Sequence, residues 1–499
     1  MIVLITALLS LPLILYISST LINHNVRSKF KRVDNKAKHD TLETVGILTA
    51  FLNMLKQFFA DIRFMAFCEF ELYQKHGKDD GIFVSYLSFI ENVVVINPEA
   101  IKTIMLHSIT YPKYPLLLSS AFGDYASSFF GSNLAVIDGV EWRKQRHVIN
   151  PAFYNLAKFY PAFEEHVDKF IKNVEHQKGP VNVPKNLANM TVDILGKTVL
   201  GQDFGAQDDK LNAIIDSYYF MMGNAFRPLY TVLPFLTKLP TKFNKDFNQH
   251  LNSFDDFIYD LIQKAHDKYK NGVDEQETLL DLMVKTQHED SESKLDDKVL
   301  RDNTVLFFVA GHETTAVTLA FQLYRLGLHS EVQQKLYEEI IDVVNGDIEN
   351  LSLDLLQEMD YMDAFIKESM RLHPPAQLPG RITAQDVTLC GYRIPKGTMV
   401  TPSIYGVHHS DVYYGQDVKQ FRPERWLGEE AKKIHRFAHI PFSAGPRVCL
   451  GNNFSLIEQK LFLSKFLHKF IVKLQPDQIN LERALDVNKD FAINVSTRQ

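Results

Sequence analysis

One ten-residue segment constrains this chain more than any other: Phe442-Ser443-Ala444-Gly445-Pro446-Arg447-Val448-Cys449-Leu450-Gly451. Gly445 and Pro446 favour a tight turn, and Gly451 lets a backbone segment or a flat ligand approach closely. A helix is expected directly after Cys449, and its first amide groups would lower the pKa of the thiol and hold it as thiolate. Such a thiolate is a metal ligand or a nucleophile. A buried structural thiol is the alternative.

The remaining composition narrows these choices. The 499 residues include only three cysteines, which are too few and too scattered for a disulfide framework or a zinc site. No histidine lies in a recognisable cysteine-hydrolase context, which argues against a nucleophile. The net charge of -6 gives no reason to expect nucleic acid as a partner.

The amino end predicts a membrane anchor. Residues 1–22 carry no charged side chain and are long enough to span a bilayer as a helix. Four basic residues follow this run, whereas a cleaved signal peptide would have them before it: Arg27, Lys29, Lys31 and Arg32. Because positive charge stays in the cytosol, we expect an uncleaved single-pass anchor, a basic tether at 23–44 and a cytosolic domain. A signal sequence or a buried helix is the alternative.

Residues 45–499 are expected to form one large domain, mainly α with a small β part (α+β), because no repeat or second composition regime is present. Residues 81–97 predict a hairpin with its turn at Glu91-Asn92. The acidic residues 271–297 predict a solvated loop. The Phe- and Leu-rich residues 218–239 predict short helices with apolar surface, a candidate second membrane contact. Further expected elements are a long apolar helix from about Lys298, short strands within 387–401 and a closing helix at 454–470.

Inside the long apolar helix lies a polar motif, Ala310-Gly311-His312-Glu313-Thr314-Thr315. Polar residues in the middle of such a helix are costly unless they serve a purpose. Gly311 could open the helical hydrogen-bond ladder and leave room for a small ligand beside Thr314. A Glu-Thr pair used only for capping or packing is the alternative. A zinc-protease motif is excluded, because Ala316 stands where the second histidine belongs.

The cysteine segment matches the pattern Phe-x-x-Gly-x-Arg-x-Cys-x-Gly and thereby resembles the haem loop of the cytochrome P450 family. The motif at 310–315 resembles the family's oxygen-activation motif. The resemblance implies a cytochrome P450-like fold with a long central helix over haem b. It also implies that Cys449 is the metal ligand, that Thr314 donates a hydrogen bond to bound O₂, and that Glu313 connects Thr314 to solvent protons.

Further residues are assigned by the same resemblance. Trp142 and Arg146 resemble the pair that meets the haem propionates, and Arg381 and Arg447 resemble the remaining propionate contacts, although a lone arginine is more often a surface residue. Other expected cofactor contacts are Phe442, Gly451, Ala310 and Gly311. A second set resembles the family's structural triad, in which one carboxylate shared by two guanidiniums supports the haem loop: Glu368, Arg371 and Arg425.

The resemblance implies a microsomal haem-thiolate monooxygenase in the endoplasmic reticulum membrane. It would insert one oxygen atom from O₂ into an apolar substrate, with electrons from NADPH through a flavoprotein reductase, and cytochrome b5 as a further partner. Pocket candidates, for which core packing is the alternative, are Phe122, Phe129, Phe130, Phe307, Ala310 and 376–378. Reductase contacts are expected at Arg143, Lys144, Lys432 and Lys433.

Two other functions stay open. A haem-thiolate isomerase or dehydratase acting on peroxides needs no reductase, but the Glu313-Thr314 pair argues against it. A non-enzymatic haem sensor or carrier would leave Thr314 unexplained. Details of two motifs, Gly-His-Glu and Phe-x-Pro-Glu-Arg-Trp, suggest fungal members of the family.

Overall fold

A computed structural model describes residues 29–33, 39, 42, 80–87, 90–113, 123–208, 212–227, 230, 233–272, 277–289, 295–377, 379–475 and 491–498. The predicted anchor at 1–22, most of the predicted tether, and the pocket candidates Phe122 and Leu378 lie outside these residues. Contacts divide the chain into two compact units. The first unit comprises the described residues within Met1–Tyr114, Met370–Phe421 and Gly428–Cys449, and the second those within Pro115–Ser369, Arg422–Leu427 and Leu450–Gln499. The expectation of one domain over 45–499 stays a prediction.

Helices dominate the described residues, as the sequence predicts. They are α1 (Pro98–Leu106), α2 (Gly123–Phe130), α3 (Gly139–Ile149), α4 (Tyr160–His176), α5 (Val183–Leu195), α6 (Ala213–Asn224), α7 (Lys242–Asn271), α8 (Leu279–Glu289), α9 (Asp297–Leu328), α10 (Ser330–Val343), α11 (Leu353–Gln357), α12 (Asp360–Leu372), α13 (Ile404–His408), α14 (Asp411–Tyr414), α15 (Gly428–Ala431) and α16 (Asn452–Lys469). The strands are β1 (Ile82–Leu87), β2 (Ile90–Val95), β3 (Val181–Asn182), β4 (Arg381–Ile382), β5 (Val387–Leu389), β6 (Tyr392–Ile394), β7 (Met399–Pro402), β8 (Phe470–Leu474) and β9 (Ala492–Thr497). The mainly α fold with a small β part is therefore confirmed.

The first unit is built on a four-stranded sheet in the order β1-β2-β7-β4. β1 pairs antiparallel with β2, β2 runs parallel to β7, and β4 is antiparallel to β7. A separate hairpin joins β5 and β6. It turns at Cys390-Gly391, and Gly391 has a φ of 84°, a conformation that glycine adopts without strain. The short strands expected within 387–401 are thus present.

The hairpin expected at 81–97 is present as β1 and β2, but the predicted turn at Glu91-Asn92 is wrong. Both residues lie inside β2, opposite Tyr86 and Ser85. Asn92 tolerates this buried position because its Oδ1 accepts a hydrogen bond of 2.8 Å from the Thr401 hydroxyl on β7. Its polarity therefore stabilises strand pairing and does not mark a turn.

The second unit is largely helical, with a small sheet in the order β3-β9-β8. Its core helix α9 begins at the N-cap Asp296, whose side chain accepts a hydrogen bond from the Val299 amide. Of the described helices, only α9 has the length and composition that could cross a membrane, and 56% of its most apolar window is buried within the protein. Such burial is typical of a core helix.

The prediction of a loop over the whole of 271–297 is wrong, because α8 lies within that range. Leu279, Leu280, Met283 and Val284 are buried on one side of α8. Their spacing follows the helical period, but the acidic residues on either side obscure it in the sequence. Apolar burial of this helix face therefore outweighs the polar composition of the range.

Candidate active site

The loop that carries Cys449 belongs to the first unit, and its own backbone holds it in shape. A 3-10 helix, Gly445–Arg447, fills its centre, and the Cys449 amide donates a hydrogen bond of 3.0 Å to the Phe442 carbonyl. Ser443 and Gly445 have positive φ angles of 63° and 69°. The loop is thereby tightly folded, and the Cys449 residue at its end is exposed. An accessible thiol can bind a ligand, which argues against a buried structural thiol.

Met105, which the sequence did not single out, connects this loop to Arg381. The Met105 sulfur lies 3.7 Å from Nη2 of Arg381 and 3.8 Å from the Ser443 hydroxyl. A Cβ atom on Gly445 would collide with the backbone carbonyl oxygen of Met105. Glycine at 445 is therefore required by both its φ angle and this close approach. Within the first unit, Met105 therefore bridges the buried Arg381 and the Ser443–Gly445 part of the cysteine loop.

His408, on α13, supports the start of the loop. Its Nε2 accepts a hydrogen bond of 2.9 Å from the Ile440 amide, so the ring proton lies on Nδ1, 3.1 Å from the Arg371 carbonyl oxygen. Burial holds the pKa of His408 well below its usual range, so the ring is neutral. In return, Nη1 of Arg371 donates to the His408 carbonyl at 2.9 Å. Arg371 and His408 together fix the segment that leads into the cysteine loop.

The polar motif lies in the second unit, on α9. The Thr314 hydroxyl donates a hydrogen bond of 2.7 Å to the Ala310 carbonyl one turn earlier. Ala310 and Glu313 are exposed, whereas His312 and Thr315 are buried. One face of the motif is thus accessible, and the opposite face packs within the unit.

Gly311 does not interrupt α9, contrary to the expectation that it would open the helical ladder. The helix is continuous from Asp297 to Leu328. A Cβ atom at Gly311 would lie 2.8 Å from Cδ1 of Leu195 on α5, closer than side chains tolerate. The glycine therefore allows the two helices to approach, which explains it through packing. Its expected place beside the haem stays a prediction.

A series of side-chain hydrogen bonds, one buried and two part-buried, connects α9 to α16. The Thr315 and Ser455 hydroxyls are 3.1 Å apart, Gln459 Nε2 donates to Ser455 at 2.9 Å, and Gln322 Nε2 donates to Gln459 at 2.7 Å. Buried polar groups that satisfy one another in this way favour one relative placement of two helices. These hydrogen bonds therefore fix the rotation of α9 about its own axis next to Thr314.

Glu368 on α12 forms a buried ion pair with Arg425, one of the two arginines expected to share its carboxylate. Its Oε1 accepts hydrogen bonds of 3.0 Å from Nε of Arg425 and from the Arg422 amide, and its Oε2 accepts one of 2.9 Å from Trp426 Nε1. Arg425 and Glu368 are 1% and 0% exposed. Three donors on one carboxylate compensate for its burial, so this cluster stabilises the fold.

Trp142 and Arg146 lie one turn apart on α3, which begins at the N-cap Asp138. Trp142 is buried and Arg146 half-buried. The spacing places both side chains on one face of the helix, as expected for residues that contact a common ligand. Trp142 and Arg146 belong to the second unit together with Ala310, Gly311, Glu313, Thr314 and Gly451.

Comparison with known proteins identifies the family of the chain. The family model "Cytochrome P450" matches residues 48–488. The chain belongs to the cytochrome P450 family. It is similar to cytochrome P450 3A6 of Oryctolagus cuniculus, with 30% identity over 86% of this chain and 87% of the relative. It is also similar to cytochrome P450 3A5 of Homo sapiens, with 29% identity over 86% of each chain.

Two further similarities fit this assignment. "Lithocholate 6-beta-hydroxylase" of Mesocricetus auratus is 30% identical over 80% of each chain. The crystal structure of a triple mutant of the cytochrome P450DA haem domain has a TM-score of 0.73 and 20% identity, and covers 87% of this chain and 93% of that one. The cytochrome P450 fold is thereby confirmed. The relatives named here are mammalian, so they give no support to the suggested fungal relationship.

As a cytochrome P450, the protein is a monooxygenase that uses haem b and O₂. Its residues suit that cofactor. Among the described residues no group of three or more His, Cys, Asp or Glu could hold a metal ion, whereas a haem iron needs only the single exposed thiol of Cys449. Apart from Gly451 and its two chain neighbours, no described residue has an atom within 4 Å of a Cβ placed on Gly451, so that side of the glycine is open for a flat ligand. The exposed thiol and the open side of Gly451 therefore fit haem b.

Proposed function

We propose that this cytochrome P450 inserts one oxygen atom from O₂ into an apolar substrate, with electrons from NADPH delivered by a flavoprotein reductase. The observation that carries the proposal is the exposed Cys449 at the end of a loop that Met105 and His408 hold in place. The haem bound there supplies the activation of O₂. The protein supplies binding, orientation and protons.

Each assigned residue has a definite role in this proposal. The Cys449 thiolate ligates the iron, and Phe442 and Gly451 lie against the haem. The cations Arg146, Arg381 and Arg447, with Trp142, hold the two propionates, because guanidinium groups match carboxylates in charge and geometry. Ala310 and Gly311 border the space in which O₂ and substrate meet.

Glu313 and Thr314 deliver protons. Glu313 is exposed and can exchange protons with water. Thr314 holds a proton on Oγ1, which it donates to the Ala310 carbonyl. Rotation of the hydroxyl would make the same proton available where the haem would activate O₂. The pair therefore forms a short path from solvent into the site.

The substrate is proposed to be an apolar molecule of the membrane phase. The similarity to a lithocholate 6-beta-hydroxylase favours steroid-like compounds as the first to test. Of the pocket candidates, Phe129 is fully buried and packs against Phe254 with ring centroids 6.1 Å apart, which is core packing. Phe130 and Phe307 are half-buried, and Ala310 is exposed, so these three residues are better candidates for substrate contact.

The electron donor is proposed to bind near the cysteine loop. In the first unit a recess of about 500 Å³ is lined by loop residues such as Ser443 and Gly445, and its two charged lining residues, Lys102 and Arg436, are cations. An acidic protein surface would complement them. Lys432 and Lys433 of the first unit and Arg143 of the second are exposed, and Lys144 is half-buried, as expected for further contacts. Replacing such cations by Glu should slow reduction and leave substrate affinity unchanged. Cytochrome b5 is a second candidate for this surface.

Membrane association completes the proposal, with a single-pass anchor in the endoplasmic reticulum membrane and the catalytic domain in the cytosol. The anchor itself lies outside the described residues. The segment after α6 supports a second contact, because three large apolar side chains are at least 40% exposed: Phe226, Phe235 and Leu239. Grouped exposed apolar residues of this kind favour a lipid surface.

A carbon monoxide difference spectrum tests the assignment of Cys449. The dithionite-reduced protein should show the red-shifted Soret band of thiolate ligation, and Cys449→Ser should abolish it. A spectral-shift screen with steroids, fatty acids and aromatic compounds then identifies the substrate class.

Thr314→Ala should divert NADPH from product to peroxide. Undiminished product formation in Thr314→Ala, or turnover of a peroxide substrate without reductase, would favour the isomerase. Haem binding without any turnover would favour the sensor.

A further inference from the structure

His312 is the residue of the α9 motif that has no role in the proposed function, yet its contacts are specific. Its side chain is 1% exposed. Its Nδ1 lies 3.2 Å from the hydroxyl oxygen of Tyr218 and 3.1 Å from the Phe308 carbonyl oxygen. Tyr218 belongs to α6 and is fully buried. The contact therefore links α6 to the centre of α9.

Both partners are neutral across the physiological pH range. Burial lowers the pKa of His312 to about 4 and raises the pKa of Tyr218 well above its ordinary value. The Tyr218 hydroxyl donates to an unprotonated Nδ1, or a protonated Nδ1 donates to both neighbouring oxygens. In either case the two helices are joined by an uncharged hydrogen bond in a dry environment.

Aromatic packing leaves little freedom around this bond. The Tyr218 ring meets the His312 ring with centroids 5.2 Å apart and the Phe308 ring at 5.0 Å, both edge to face. The Tyr219 ring also lies edge to face with the His312 ring, with centroids 6.2 Å apart. Because closely packed rings move together, a displacement of α6 is transmitted to His312.

The acid of the proposed proton path lies close to the same residues. After burial, the Glu313 carboxylate is the next largest contribution that raises the pKa of Tyr218, and it also helps raise the pKa of Tyr219 to about 12. Glu313 follows His312 directly and lies on the exposed face of α9. Both residues lie in the continuous helix α9, so a hydrogen bond that restrains the helix at His312 also restrains the backbone that carries the Glu313 carboxylate.

We propose that the Tyr218–His312 hydrogen bond positions Glu313 and Thr314, so that the placement of α6 sets how well protons reach the site. The proposal rests on the proposed function. α6 is followed by the exposed apolar residues Phe226 and Phe235. Substrate that enters from the membrane beside α6 would displace this helix and would thereby also change the positions of Glu313 and Thr314. Tyr218 and His312 are positioning residues and touch no reacting atom.

The test uses Tyr218→Phe, His312→Phe and the double variant in the haem-loaded protein, because each change removes a hydrogen-bonding group and keeps a ring. Hydrogen–deuterium exchange of residues 213–224 and 308–315 should rise about fivefold in each single variant, the effect of losing one uncharged hydrogen bond. Since the two groups act as one pair, the double variant should exchange no faster than either single variant. Tyr219→Phe is the matched control, because the structure records only a ring contact between Tyr219 and His312, and its exchange should match the wild type.

A second measurement determines how much of the NADPH consumed is converted to hydrogen peroxide. With NADPH and purified cytochrome P450 reductase, and no added substrate, the fraction of NADPH recovered as hydrogen peroxide should rise in both single variants and rise no further in the double variant. Unchanged exchange, additive effects of the two changes, or an equal effect of Tyr219→Phe would overturn the inference. If the wild type fails to consume NADPH, the proposed electron donor is wrong, while the exchange experiment still decides the role of the hydrogen bond.

Discussion

The Ile440 amide donates its hydrogen to Nε2 of His408, at 2.9 Å, two residues before the cysteine loop begins at Phe442. This bond fixes the imidazole tautomer, since Nδ1 must then carry the proton that it shares with the Arg371 carbonyl. A buried ring with both nitrogens used is a rigid spacer between α12 and the loop. His408 therefore supports the site without being part of it.

Replacing His408 by Leu should destabilise the protein strongly. The change leaves the Ile440 amide and the Arg371 carbonyl without the partner that His408 provides, and each unsatisfied buried group costs about 1–3 kcal/mol. Urea unfolding followed by circular dichroism and by the Soret band should show the loss. His409→Leu is the control, because His409 is only half-buried. An equal loss in the two variants would contradict the role given to His408.

Glu368→Gln should lower the free energy of unfolding far more than Glu424→Gln, although both changes remove a carboxylate that pairs with a cation. Glu368 is fully buried with Arg425, so removing its charge leaves a buried guanidinium unbalanced, at about 3–5 kcal/mol. Glu424 pairs with Lys335 at 2.6 Å, where both side chains are more than a third exposed, and such pairs contribute about 0–1 kcal/mol. Chemical unfolding of the two variants measures the difference. Similar values would show that the Glu368 cluster is not the structural centre that we infer.

Gly445→Ala should prevent haem loading, whereas Gly428→Ala should not. Both glycines have positive φ angles, 69° and 57°, so alanine costs about 1–2 kcal/mol at either position. Only at Gly445 does the added methyl group also collide with the Met105 carbonyl, while at Gly428 no described residue beyond its chain neighbours has an atom within 4 Å. The ratio of Soret to protein absorbance after purification reports the outcome. Equal haem content in the two variants would mean that Met105 does not shape the loop.

Stability should fall as the pH falls from about 6.5 to about 4. In this window the unfolded chain protonates His312, whose ordinary pKa is 6.5, but the folded protein does not until about 4. The unfolded state then binds more protons than the folded state. The contribution of His312 to the free energy of unfolding is therefore complete above about pH 6.5 and is lost below it, by up to about 3 kcal/mol. His408, also buried and neutral, adds to the same trend. Urea unfolding at several pH values should show that the free energy of unfolding declines less steeply with falling pH in His312→Phe than in the wild type. An equal slope in the two proteins would contradict this assignment.

Local patterns allowed the elements of the cysteine loop, α9 and α16 to be predicted from the sequence. Turn residues, helical spacing and a specific ten-residue motif are all short-range signals, and the Glu368–Arg425 pair followed from family resemblance. α8 was missed, because its buried apolar face is short and lies between acidic segments. The turn of the first hairpin was misplaced, because the partner of Asn92 is Thr401, more than 300 residues away.

Long-range partners explain the other omissions as well. Met105 and His408 are ordinary residues of short helices, and nothing near them in the sequence indicates that they contact the cysteine loop. The close contact between Gly311 and Leu195 is similar: the sequence suggests that Gly311 is special, but only the packing of α5 on α9 shows why. Pairs of this kind depend on tertiary structure and leave no periodic trace.

The contact of Met105 with Gly445 has an electrostatic consequence. Met105 is in the last turn of α1, where backbone carbonyls carry the negative end of the helix dipole, and no basic residue lies in that turn to offset it. This negative end faces the bend that leads to Cys449. A negative partial charge at this position would favour the more positive, oxidised state of an iron held by the Cys449 sulfur.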